Sequence, residues 1–100
     1  MSELRRILEV LKQHRVELRR LGVANVGVFG SIARNEQQIQ SDVDFLVRFE
    51  EGRAVSYSDL YELYTLLRRL TGRDVDLVTD KSLSEHMKPY VEKELQYVDL

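Results

Sequence analysis

Two aspartates stand two residues apart in the stretch QSDVDFLVRF, residues 40–49. In a β-strand successive side chains point to opposite faces, so Asp42 and Asp44 share one face while Val43 and Phe45 share the other. This alternation is typical of a half-buried strand, and an isolated pair of this kind is more often a solvated face than a metal site. The rest of the chain has to decide between the two interpretations.

Two further segments favour chemistry. Gly30 and Ser31 follow an apolar segment, residues 24–29, that we predict to be a short buried strand. Glycine lets a ligand approach the backbone closely, and a backbone N–H beside a hydroxyl at the start of a helical turn suits a phosphate. Asp76 lies in the segment DVDLVT, where the same alternation gives it the face of Asp74.

Carboxylates on the same face of neighbouring strands can converge, since such strands lie about 4.8 Å apart. Like charges repel, and burial raises carboxyl pKa values, so a divalent cation would relieve the conflict. Oxygen ligands suit Mg²⁺ or Mn²⁺, and two such ions about 4 Å apart can activate an attacking oxygen and steady a leaving one. The sequence therefore predicts a phosphate-binding turn beside a carboxylate cluster of Asp42, Asp44 and Asp76.

Helices and strands alternate along the chain that must position these residues. We predict helices over 3–20, 58–71 and 84–95, the last with a restart at Pro89, and strands over 24–29, 42–50 and 74–79, with a short final strand in QYVDL. Alternation of this kind indicates an α/β layered domain in which the second and third strands lie side by side.

Composition narrows the class of protein. With 100 residues, 43% hydrophobic and 32% charged, the chain is expected to form one domain over residues 1–100. A net charge of −2 gives no electrostatic footprint for direct nucleic-acid binding. Because there is no cysteine, disulfides and thiolate metal sites are excluded. No signal-peptide core or membrane-length apolar run is visible, so we expect a cytoplasmic protein.

The motifs together resemble a known superfamily. GSIAR (30–34), SDVDFLV (41–47) and DVDLV (74–78) are similar to the nucleotidyltransferase superfamily that includes DNA polymerase β, in particular its minimal single-domain prokaryotic members. The similarity runs from about Asn25 to the C-terminus. It implies a mixed β-sheet flanked by helices, as in the polymerase β palm. The chain departs from the pattern at Asn35, where many relatives have glycine, but Asn tolerates left-handed backbone.

The resemblance implies a nucleotide-binding role for the turn. Gly30 and Ser31 would hold the triphosphate of an incoming nucleotide. Arg34 matches an arginine that is frequent after the Gly-Ser turn, and it would steady the turn or touch phosphate.

The resemblance also implies metal-binding and catalytic roles for the acids. Asp42 and Asp44 would bind the metals, and Asp76 would bind the catalytic metal and help to deprotonate the acceptor hydroxyl. Asp74 is the rival for the third position; Asp76 is preferred because Leu-Val follows it, as in the family pattern. Two Mg²⁺ ions, with Mn²⁺ as an alternative, would be the cofactors.

Minimal members of this family are typically paired with a small helical partner of the HEPN type, often an RNase toxin. The resemblance therefore implies an antitoxin that transfers AMP from ATP to a hydroxyl of its partner, commonly a tyrosine, within a hetero-oligomer. Two alternatives stay open. The protein could block its partner sterically without catalysis, or it could modify a small molecule.

Overall fold

A computed structural model describes residues 2–100. The helices are α1 (Glu3–Gln13), α2 (Arg15–Arg20), α3 (Gly30–Ala33), α4 (Tyr57–Thr71) and α5 (Lys88–Glu94). The strands are β1 (Val23–Phe29), β2 (Val43–Phe49), β3 (Val75–Thr79) and β4 (Gln96–Asp99).

The four strands form one mixed sheet in the order β3-β2-β1-β4. β1 runs antiparallel to β2 and β4, whereas β2 and β3 are parallel. The parallel pair follows from the connection through α4, because a parallel neighbour needs a crossover that returns the chain to the same end of the sheet. The predicted α/β fold with a mixed sheet is confirmed.

The core lies between one face of this sheet and helices α1, α2 and α4. The apolar side of β2 points into it, as the alternation predicted: Val43, Phe45 and Val47 are fully buried. The other fully buried members come from β1 and the helices: Ile7, Leu11, Leu18, Val23, Val26, Val28, Ile32, Leu63 and Leu67. Burial of this face leaves the opposite face of the sheet for polar side chains.

The end of α5 reaches that opposite face. A Cβ added to Gly27 would lie 2.6 Å from Leu95 Cδ1, so Leu95 packs directly on the backbone of β1. Leu46, which alternation places on the same face, is only 3% exposed. The aspartate side of the sheet is therefore partly covered at its β1–β4 end.

Two predicted helices differ from the observed ones: the first keeps its predicted ends but is interrupted, and the last begins later than predicted, near the restart expected at Pro89. The helix expected over 3–20 is broken at His14, whose ring nitrogen Nδ1 lies 2.9 Å from the Val10 carbonyl oxygen and shares that acceptor with the backbone. The helix expected from residue 84 begins at Lys88, with Pro89 in its first turn, where the missing N–H costs nothing. No helix among residues 2–100 combines the length and apolar character of a membrane span.

Candidate active site

The turn between β1 and α3 is built around Gly30. Its φ is +74°, a left-handed conformation that favours glycine. A Cβ at this position would also overlap Oδ2 of Asp44. Glycine is thus required twice, once for the backbone conformation and once so that the Asp44 carboxylate can lie against the main chain.

Two backbone hydrogen bonds hold the single turn of α3 and the residues that follow it. The N–H of Arg34 donates to the Gly30 carbonyl at 3.1 Å, and the N–H of Glu36 donates to the Ser31 carbonyl at 2.8 Å. Between them, Asn35 adopts a left-handed φ of 58°. Asn35 thus adopts the left-handed backbone conformation for which many members of the family have glycine. The half-buried Ser31 is held at the start of the turn.

The three predicted metal ligands lie on one side of the sheet. Asp44 stands opposite Asp76 in the parallel register of β2 and β3, and opposite Phe29 in the antiparallel register of β1 and β2. Asp42 directly precedes β2 and shares the face of Asp44 by alternation. Asp44 is half-buried, while Asp42 and Asp76 are exposed.

Electrostatics couple these carboxylates. Burial raises the pKa of Asp44 above its ordinary value, and the charges of Asp76 and Asp42 raise it further, while Arg34 opposes the change. Ionisation of Asp44 is therefore less favourable than that of a free aspartate, and a nearby cation would make it more favourable. This is the electrostatic condition that a divalent cation would relieve.

The donor set suits a hard cation. Asp42, Asp44 and Asp76 offer only carboxylate oxygens, which Mg²⁺ and Mn²⁺ prefer. Within residues 2–100, no three histidine, aspartate or glutamate side chains already converge as a cation cage. The fit thus rests on ligand chemistry and on the shared face.

Asp74, the alternative third acid, is engaged elsewhere. Its carboxylate pairs with Arg68 at 3.0 Å and is 70% exposed. Its carbonyl accepts a hydrogen bond of 2.9 Å from the Val43 N–H, which ties β3 to the start of β2. The register places Asp76, not Asp74, opposite Asp44.

Arg34 and the Gly30 N–H both bind Glu94, a residue that the sequence analysis missed. Glu94 Oε1 accepts from the Gly30 N–H at 2.9 Å, and Arg34 Nη1 donates to both Glu94 oxygens at 2.9 and 3.2 Å. Hydrogen bonds to Glu94 and then Glu36 raise the pKa of Arg34. The predicted tail strand did not indicate its neighbour in the sheet; the observed antiparallel pairing of β4 with β1 brings the end of α5 to the turn.

Arg73 is a second residue that was missed, and it fixes the loop before Asp42. Its Nη1 donates to the carbonyls of Gln38 (2.9 Å), Ile39 (3.1 Å) and Ser41 (2.8 Å). Its other guanidinium nitrogens bind Glu3 of α1. Asp42 is therefore held from both sides, by the Ser41 carbonyl and by the Val43 N–H.

A groove of about 800 Å³ lies beside the Gly30 turn. Its lining includes Phe29, Arg34, Met87, Tyr90 and Glu94. Tyr90 is 68% exposed and Met87 48% exposed. The turn thus faces an open, partly apolar groove rather than a closed cavity.

Comparison with known proteins gives consistent results. Residues 4–98 match the nucleotidyltransferase domain family. The chain is 43% identical over 99 residues to the protein adenylyltransferase MntA of Thermococcus cleftensis, covering 98% of both proteins. A solved minimal nucleotidyltransferase is 36% identical, with a TM-score of 0.71 and coverage of 96% of this chain and 95% of the other.

A more distant structure shares the fold. It is the Shewanella oneidensis complex of a tri-AMPylated HEPN toxin with an MNT antitoxin. The identity is 20% and the TM-score 0.61, with 91% of this chain and 70% of the matched chain covered.

Proposed function

Because this chain belongs to the nucleotidyltransferase domain family, we propose that it transfers AMP from ATP to a tyrosine hydroxyl of a HEPN-type toxin and acts as its antitoxin. The activity is that of its named relative, and the partner is that of the Shewanella oneidensis antitoxin. The proposal includes dependence on Mg²⁺, because Asp42 and Asp44 offer the carboxylate oxygens that this ion prefers.

One observation carries the proposal. The Asp44 carboxylate lies against the main chain of Gly30 and opposite Asp76 across the parallel strand pair. A phosphate on the turn and an acceptor hydroxyl near Asp76 would then meet at Asp44. Such an arrangement supports transfer of a phosphoryl or nucleotidyl group, since catalysis of that reaction is mostly positioning and charge stabilisation.

The proposal assigns a task in the reaction to each group. The Gly30 N–H and the guanidinium of Arg34 hold the phosphates of ATP, and Asp42 with Asp44 would hold Mg²⁺. A bound Mg²⁺ would supply the positive charge that the phosphates and carboxylates require. The tyrosine oxygen attacks the α-phosphorus, its proton passes to the Asp76 carboxylate, and the bond to the departing pyrophosphate breaks.

The test uses the protein together with its HEPN-type partner. Incubation with Mg²⁺ and ATP labelled at the α-phosphate should label the partner, and its intact mass should rise by one or more adenylyl groups. Peptide mapping should find the label on tyrosine. The Asp42→Asn/Asp44→Asn variant should abolish labelling while the complex still forms, and Asp99→Asn serves as an off-site control.

The same variant separates catalysis from steric blocking. If Asp42→Asn/Asp44→Asn still protects cells from the toxin, the protein acts by binding and the proposed catalytic role is wrong. If protection disappears although the complex forms, transfer of AMP is the protective step.

A further inference from the structure

Glu94 occupies the polar groups that the proposed function assigns to phosphate. Its carboxylate accepts from the Gly30 N–H and from Arg34, and its side chain is 25% exposed. A carboxylate and a phosphate seek the same donors, namely a backbone N–H and a guanidinium. The anion that binds the turn in this structure is therefore the carboxylate of Glu94.

The topology delivers Glu94 to this place. β4 pairs antiparallel with β1, with Val28 opposite Gln96. Continuing that register by two residues sets Gly30 opposite Glu94, at the end of α5. Val91 is only 3% exposed and anchors the helix. The contact between Glu94 and the Gly30 turn is therefore fixed by the pairing of β4 with β1 and by the packing of α5.

Glu94 and a phosphate oxygen cannot both use the Gly30 N–H, because one N–H makes one strong hydrogen bond. Arg34 is less restrictive, since a guanidinium has five donor hydrogens and Arg34 binds Glu94 through Nη1. Glu94 also adds negative charge beside Asp44. A nucleotide that enters the turn must displace Glu94 from the N–H.

We propose that Glu94 is an internal competitor of the nucleotide, occupying the phosphate position on the Gly30–Arg34 turn until a polyphosphate displaces it. The inference rests on the proposed function, because it takes the turn to be a phosphate site. It assigns to the end of α5 a role in setting nucleotide affinity. The apparent affinity for the nucleotide is the intrinsic affinity multiplied by the fraction of molecules in which Glu94 has left the turn.

The experiment measures binding of inorganic triphosphate with Mg²⁺ to the full chain by titration calorimetry. Glu94→Gln keeps an acceptor oxygen but loses the charge, so it should bind about five- to tenfold more tightly than the wild type. Glu92→Gln, an equal charge change at an exposed position of the same helix, should bind like the wild type. The Gly30 amide resonance should shift on binding in every protein that binds.

The outcomes separate the two ideas. If the wild type binds triphosphate and Glu94→Gln binds no more tightly, the competitor role is wrong while the phosphate site stands. If none of the proteins binds, the phosphate site and hence the proposed function fail. Should Glu94→Gln not fold, Glu94→Asp, which keeps the charge but is one methylene shorter, should also bind more tightly than the wild type; unchanged affinity overturns the inference.

Discussion

Arg73 is the residue whose replacement tests the architecture of the site most directly. Its guanidinium joins Glu3 of α1 to three carbonyls of the loop that precedes Asp42. Arg73→Met retains the aliphatic stem and removes all of these donors. We expect the loop to loosen and Asp42 to lose its fixed position.

The magnitude follows from the exposure of the partners. Arg73 and Glu3 side chains are 16% and 19% exposed, so the pair is shielded but not fully buried. Breaking a fully buried pair costs about 3–5 kcal/mol. Water can replace Arg73 at the exposed carbonyls of Gln38 and Ile39, and Arg6 lies 3.6 Å from Glu3 as a second partner. We therefore expect a loss of about 2–3 kcal/mol in the free energy of unfolding.

Urea unfolding and thermal melting provide the measurement. For a domain of this size, a loss of that order lowers the melting temperature by about 10–20 °C. Arg69→Met is the matched control, because Arg69 is 71% exposed and lies 3.9 Å from its acidic partner. Such a surface pair contributes at most about 1 kcal/mol.

Activity well below the melting temperature gives an independent reading. Arg73→Met should transfer AMP more slowly than the wild type even where both are fully folded, because Asp42 is no longer held. The reasoning is refuted if Arg73→Met is no less stable than Arg69→Met. Full activity in a destabilised Arg73→Met would refute the link between the loop and Asp42 alone.

Three further predictions concern single groups. Gly30→Ala should lose about 1–3 kcal/mol of stability and its transfer activity, because its φ is +74° and a Cβ would overlap Asp44; wild-type melting and labelling would contradict this. Asp76→Asn should slow labelling by about 100-fold or more, whereas Asp74→Asn should stay within about twofold; equal effects would reject the assigned proton acceptor. Hydrogen bonds from Arg73 lower the pKa of Glu3 from its ordinary value of 4.5. The ionised Glu3 therefore stabilises the folded protein above pH 4.5, and this contribution is lost as the pH falls through the lowered pKa of the folded state. Wild type and Glu3→Gln should therefore differ most in urea midpoint near neutral pH and converge in acid; a constant difference would exclude this linkage.

Local patterns predicted most of the fold. The alternation in QSDVDFLVRF correctly assigned Val43, Phe45 and Val47 to the core, because a strand with one buried face must separate apolar from polar residues. The ends of α4 are also fixed by residues close in the chain: Ser56 and Asp59 form a capping box at its start, and Gly72 ends it in a left-handed conformation. Such features depend on neighbours in the chain, so sequence alone contains them.

The missed residues depend on contacts between distant segments. Glu94 reaches Gly30 across 64 positions, and Arg73 reaches Glu3 across 70. Nothing in the local spacing of either residue distinguishes it from an exposed charge on a helix or a turn. Only the strand order and register bring them to the site, and those were not specified by any single segment.

The topology also explains why several acidic residues lie at the same end of the sheet. β1 runs antiparallel to both of its neighbours, and β3 is parallel to β2, so the end of β1 meets the starts of the other three strands. Gly30 leaves the end of β1, whereas Asp44, Asp76 and Glu94 lie at or just before the starts of the others. One backbone arrangement therefore supplies both the phosphate donor and the carboxylates. In this arrangement the aspartates repel one another, and Glu94 pairs with Arg34 on the turn. When a polyphosphate binds together with its cation, the phosphate replaces Glu94 as the partner of Arg34, and the cation relieves the repulsion between the aspartates.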